Sequence, residues 1–148
     1  MFDKIVVGID GSETSKNPVR MACGLAEKFG SQIHLVHTPQ PATVAFALGA
    51  MAGYHAVTTM PDPEEVRIAG EKVLETGRQV AEAEGQTITQ TYADLGDPAE
   101  EMVACAQKCG ADLIVTGRRG LGSLGALVQG STSLRVGHLA KCACLSVV

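Results

Sequence analysis

Two stretches of this 148-residue chain carry residue types and spacings that could do chemistry. One is Asp10, the acid that directly follows the apolar run Ile5-Val6-Val7-Gly8-Ile9. The other is the run Gly117-Arg118-Arg119-Gly120-Leu121-Gly122-Ser123-Leu124-Gly125-Ala126-Leu127-Val128-Gln129-Gly130-Ser131-Thr132. Glycines allow left-handed turns and let backbone amides approach an anion closely. Ser131 and Thr132 would add hydroxyl donors at a helix start, where unpaired amides and the macrodipole favour phosphate. Arg118 and Arg119 could supply positive charge. The same glycines could instead only solve turn geometry, and an acid such as Asp10 is also favoured as a cap at helix entries. The run is not a Walker loop, because no Gly-Lys-Ser/Thr is present. It is not the dinucleotide fingerprint either, which belongs after the first strand; that turn holds only Asp10-Gly11-Ser12.

The elements that must position these residues can be read from periodicity. Ile5 to Ile9 is short, β-branched and continuously apolar, as a strand covered on both faces should be. Val19, Ala22, Cys23 and Ala26 then recur at helical spacing. Pro18 fits that helix if Ser15 is the N-cap, because the first-turn amides lack intrahelical partners; Gly30 is the stop. Residues 33–37 read as a second strand. Asp62-Pro63-Glu64-Glu65 combines an N-cap, Pro at the first helical position and first-turn acids. Val66, Ala69, Gly70, Val73, Gly77 and Val80 follow on one face, a stripe small enough to imply close packing on a sheet. Residues 87–93 read as a third, more exposed strand. Asp97-Pro98-Ala99-Glu100 repeats the opening of a helix, which closes at Gly110. Residues 112–116 form a fourth strand, residues 132–141 a last helix, and residues 144–148 a final strand. Strands alternating with helices imply a parallel sheet with helices on both faces, and right-handed crossovers narrow this to one doubly wound α/β domain.

Composition removes several classes of function. Hydrophobic residues are 45% and charged residues 19%, which excludes an intrinsically disordered chain. The 12 basic and 16 acidic residues leave a net charge of −4, unlike the basic surface that nucleic acid requires. Aromatics at 3% without Trp cannot build a stacking platform for single strands. The opening apolar run is far shorter than the ~20 residues of a membrane span. Five cysteines and no leader pattern ahead of the first strand point to a cytoplasmic chain with reduced thiols.

The sequence resembles the universal stress protein family over essentially its whole length. That family's nucleotide-binding branch carries Gly, two residues, Gly, nine residues, then Gly followed by Ser or Thr. Gly117, Gly120, Gly130 and Ser131 match that spacing without a gap. The opening Ile5-Val6-Val7-Gly8-Ile9-Asp10-Gly11-Ser12 and the stretch Ala111-Asp112-Leu113-Ile114-Val115-Thr116-Gly117 are also similar to the family. The resemblance implies a five-stranded parallel sheet in the order 3-2-1-4-5, Rossmann-like and similar to the adenine nucleotide α-hydrolases. It further implies that Asp10 accepts hydrogen bonds from ribose, and that Ile9 and Thr38 border adenine. Gly117 would contact ribose, while Gly120, Gly130, Ser131, Thr132 and Ser133 would cradle phosphates. The cofactor implied is ATP, or ADP or AMP, with Mg²⁺ carried by the phosphates rather than by a protein metal site. A homodimer through the C-terminal strand is also implied. The family's last strand usually follows Cys-Pro, where this chain has Cys142-Ala143.

No catalytic residue is legible. His34, His55 and His138 have no evident carboxylate or serine partner, and His37, at a strand end, reads as a structural hydrogen bonder. At most slow ATP hydrolysis is expected. An adenylyl-transfer enzyme of related fold would need Ser-Gly-Gly-x-Asp-Ser or His-x-Gly-His after the first strand. A stress protein acting by dimer contacts without nucleotide is a further alternative. Cys105 with Cys109, and Cys142 with Cys144, match no common zinc spacing. Residues 39–61 are uncharged and too long for an ordinary connection, which suggests a lid or an oligomer contact.

Overall fold

A computed structural model describes residues 1–40, 44, 62–118 and 130–148. Five strands are present: β1 (Lys4–Gly8), β2 (Gln32–Val36), β3 (Ile88–Tyr92), β4 (Leu113–Gly117) and β5 (Ala143–Val147). The longer helices are α1 (Lys16–Phe29), α2 (Pro63–Ala83), α3 (Pro98–Cys109) and α4 (Ser131–Leu139). All four strand pairings are parallel, and the order across the sheet is β3-β2-β1-β4-β5. The expected α/β architecture and strand order are therefore found.

Strand β1 shows why its sequence is apolar without a break. Ile5 and Val7 face one layer with Leu35 and Val115, beneath Val19, Ala22 and Ala26 of α1 and Leu74 and Ala81 of α2. Val6 faces the opposite layer with Val36 and Ile114, beneath Met102, Val103 and Ala106 of α3 and Val136 of α4. Each buried Val or Ile contributes about 1.5–3 kcal/mol, so a strand covered twice gains from every position. The edge strand β3 is covered less, and its pairing with β2 shifts register between Ile33 and His34.

The helices start and stop on local signals. Ser15 is the N-cap of α1, after a short 3₁₀ turn Glu13–Ser15, and Pro18 is buried in the first turn. Gly30 and Gly110 end α1 and α3 with φ of 72° and 69°, a backbone that a side chain resists. The stripe of α2 is shifted by one residue in two turns. Its deepest positions are Val66, Gly70, Leu74, Gly77 and Ala81, with Val73 and Val80 at the margin. At Gly77 a Cβ would lie 2.7 Å from Leu35 Cδ1 and 2.9 Å from Ile9 Cδ1. The small stripe therefore does set α2 tightly onto β2 and onto Ile9, just beyond β1. Helix α4 begins one residue before the expected start and ends at Leu139, where Ala140 turns extended with ψ of 143°.

In the order found, β5 is the last strand, and Ala143, Cys144 and Ser146 are exposed along it. Among the described residues no helix is long and apolar enough to cross a membrane. The uncharged stretch expected to be a lid or oligomer contact lies outside the described residues, apart from Pro39, Gln40 and Val44.

Candidate functional site

Strands β1 and β4 are parallel neighbours, with Val7 beside Val115, so Ile9-Asp10 and Gly117-Arg118 leave the sheet at one edge. Ile9 remains tied to β2: its amide donates to the Val36 carbonyl at 3.0 Å. The His37 ring is 2.9 Å from the Ile9 carbonyl through Nδ1, and the His37 amide donates to Tyr92 O at 3.0 Å. A carbonyl can only accept, so Nδ1 carries the proton and Nε2 is left as an acceptor. Burial favours the neutral ring and holds its pKa below the ordinary histidine value, against the opposing effects of the Ile9 hydrogen bond and of Asp10. His37 is thus the structural hydrogen bonder its position suggested. It brings Ile9 and Thr38, both buried, to the same edge.

Asp10 turns the chain. Its Oδ1 accepts from the Ser12 amide at 2.9 Å and from Ser12 Oγ at 2.6 Å. Gly11 takes φ of +83°, and a Cβ there would meet Val73 Cγ2 at 2.9 Å, so this tight turn has room only for glycine. The N-cap positions of the 3₁₀ turn and of α1 are Ser12 and Ser15, neither of which makes a side-chain cap bond; Ser15 Oγ donates instead to Ser12 O at 2.7 Å.

The two described ends of the glycine-rich run meet. Arg118 donates its amide to Val147 O at 2.6 Å, and its carbonyl accepts from Gly130 N at 2.8 Å. The N-terminus of α4 is thereby brought to the end of β4. Gly130 is the N-cap of α4 and provides no side-chain cap. Its φ of −57° is open to any residue, so left-handed freedom is not the reason for glycine here. Ser133 is buried and its hydroxyl donates back to Gly130 O at 2.9 Å. Ser131 is exposed and Thr132 half-buried at the helix mouth. The structure therefore gathers Ile9, Asp10, Thr38, Gly117, Arg118, Gly130, Ser131, Thr132 and Ser133 around one edge of the sheet. Arg119 and Gly120 lie outside the described residues.

Two further features bear on the chemistry. The Thr38 hydroxyl is buried and has no hydrogen-bond partner among the described residues. Burial raises the thiols of Cys23 to about 11 and Cys105 to about 12, which makes both poor nucleophiles at neutral pH. Among the described residues no three His, Cys, Asp or Glu side chains are grouped to hold a metal ion. A hollow of about 560 Å³ lies between α2 and β3, lined by Glu71, Lys72, Arg78 and Thr91, and it includes none of the expected site residues. One contact had no signal in the sequence: Arg135 of α4 reaches Asp97 and Glu100, more than 30 residues earlier.

This order of parallel strands, with candidate groups beyond their carboxyl ends, defines a doubly wound α/β protein whose ligand crevice is expected at that edge. The universal stress protein family matches residues 1–147, and the chain belongs to that family. Universal stress protein YxiE of Bacillus subtilis is 32% identical over 150 residues, covering 99% of both chains. A universal stress protein solved in complex with cAMP superposes with a TM-score of 0.69 at 24% identity, covering 99% of this chain and 97% of the other. The Archaeoglobus fulgidus universal stress protein in complex with dAMP gives 0.70 at 20% identity, covering 99% and 98%.

Proposed function

We propose that this protein binds an adenine nucleotide at the carboxyl edge of its sheet and works as a nucleotide-dependent stress-response module in the cytoplasm. The observation that carries this reading is the uncapped N-terminus of α4, tied through Gly130 and Arg118 to the end of β4 beside Asp10. A helix end without its own cap offers amides and a positive dipole to phosphate. Relatives solved with cAMP and with dAMP both hold adenine nucleotides, which supports adenine as the base. Asp10 would accept from ribose, and Ile9 and Thr38 would border the base. Gly117 and Arg118, with Arg119 and Gly120, would meet ribose and phosphates, and Gly130, Ser131, Thr132 and Ser133 would complete the cradle.

We read ATP as the ligand, with ADP and AMP as its lower-charge forms. Mg²⁺ would be held by nucleotide oxygens and water. Turnover of the bound nucleotide would be slow at most. An apolar hollow of about 410 Å³ lies between α1 and Val147 of β5, lined also by Asn17, Arg20, Met21 and Leu25. Among the described residues β5 is paired on one side only, and such an edge invites a second strand, which supports a homodimer through β5.

Calorimetric titration with Mg·ATP tests the site. Wild type should bind, whereas Gly130→Val should show no heat of binding yet melt cooperatively, because its backbone suits valine but the added side chain fills the helix mouth. Undiminished affinity in Gly130→Val would remove the glycine-rich run as the phosphate cradle.

A further inference from the structure

We propose that Arg135 is a positioning residue for the phosphate end of this site: its guanidinium clamps α4 to the start of α3 and so aims the first-turn amides of α4. The proposal rests on the nucleotide-binding reading above. Helix α4 has nine residues, of which only Ser133 and Val136 are buried. Helices this short are marginal alone, and their direction comes from their neighbours. The hydrogen bond from Gly130 N to Arg118 O fixes where α4 begins, and Val136 seats its inner face in the buried cluster with Met102 and Val103 of α3.

A second anchor sits one turn further on. Arg135 donates from Nη1 to Asp97 Oδ2 at 2.5 Å and from Nη2 to Glu100 Oε1 at 2.9 Å. Asp97 is itself held, since its Oδ1 accepts from Ala99 N at 3.0 Å and Glu100 N at 3.1 Å as the N-cap of α3. The planar guanidinium therefore grips a fixed point, and its fork geometry restricts rotation as well as distance. A direct electrostatic role is the competing account. Arg135 contributes one positive charge against two carboxylates, so the cluster as a whole does not attract phosphate. Orientation is what remains for it to provide.

The two accounts predict opposite signs when an acid is neutralised. Titration with Mg·ATP should show Arg135→Gln weakening the affinity about fivefold, and Glu100→Gln or Asp97→Asn about twofold each, the scale of exposed ion pairs. Asparagine caps as well as aspartate, so Asp97→Asn spares the α3 cap. Arg135→Lys, which keeps one pairing, should restore part of the loss. Tighter binding in Glu100→Gln or Asp97→Asn would show that charge alone matters and would overturn the proposal. Residual dipolar couplings of the α4 amides, measured without nucleotide, decide the question independently. The clamp requires a fixed helix orientation in wild type and a more averaged one in Arg135→Gln; identical couplings would overturn it. Should wild type fail to bind Mg·ATP, the nucleotide reading falls, while the couplings still judge the clamp.

Discussion

Three helices of this protein begin in nearly the same way, and one of them differs in a single respect. Asp62 caps α2 with its side chain, accepting from Glu64 N at 3.0 Å, and Glu65 returns a bond to the Asp62 amide to complete a capping box. Asp97 also caps α3 with its side chain, accepting from Ala99 N and Glu100 N. Gly130 caps α4 with φ of −57° and ψ of 142°, the angles of Asp62, but brings no side chain. The backbone at α4 is thus already set for an aspartate that the sequence withholds. Capping by Asp in place of Gly is worth only a few tenths of a kcal/mol, so the omission costs little stability. It leaves open a helix mouth that the other two helices close.

The strongest way to break this contrast is to make α4 resemble α2. Gly130→Asp should preserve or slightly raise the melting temperature while lowering Mg·ATP affinity about a hundredfold or more, because a carboxylate would take the amides and repel phosphate. A variant that melts at or above wild type and still binds would show that phosphate does not sit at this helix. Asp10→Ala acts on the ribose side of the edge, and titration should show a loss of about 1–3 kcal/mol, the usual scale for charge-assisted hydrogen bonds. Removing a closed cap has the reverse signature. Asp62→Ala should cost about 1 kcal/mol of stability and roughly 2–4 °C in melting temperature, with nucleotide affinity unchanged.

The smallest effect concerns pH. Burial lowers the pKa of His34 and of His37 below the ordinary 6.5. Below that value the unfolded chain binds protons that the folded chain excludes, so stability rises with pH across this range. Melting temperature should therefore decline gently as pH falls from 7 toward 5 and stay level from 7 to 8. Replacing His34 by glutamine should flatten the decline.

The strands and the helix caps were legible because each rests on local chemistry, whereas the order of the strands was implied by the family resemblance and not by spacing. Continuous apolar runs marked β1 and β4, and Asp-Pro marked the starts of α2 and α3. Leu74 and Ala81 were missed at the bottom of the α2 stripe because Val73 and Val80 lie one residue away on a nearly equivalent face. The left-handed turn expected among the site glycines proved to be at Gly11 for the described residues, and Gly130 has an ordinary backbone. Arg135 was illegible because its partners are distant in sequence. That Ser133 turns its hydroxyl inward is likewise a matter of packing, which residue spacing does not report.

The hydrogen bond from Gly130 N to Arg118 O has a consequence best put in polymer terms. It joins residues far apart along the chain, and Arg118 is in turn joined to Val147 at the end of β5. Contacts between distant residues carry a loop-closure entropy that the rest of the fold must offset. The start of α4 is thereby a property of the assembled sheet edge and not of the helix alone.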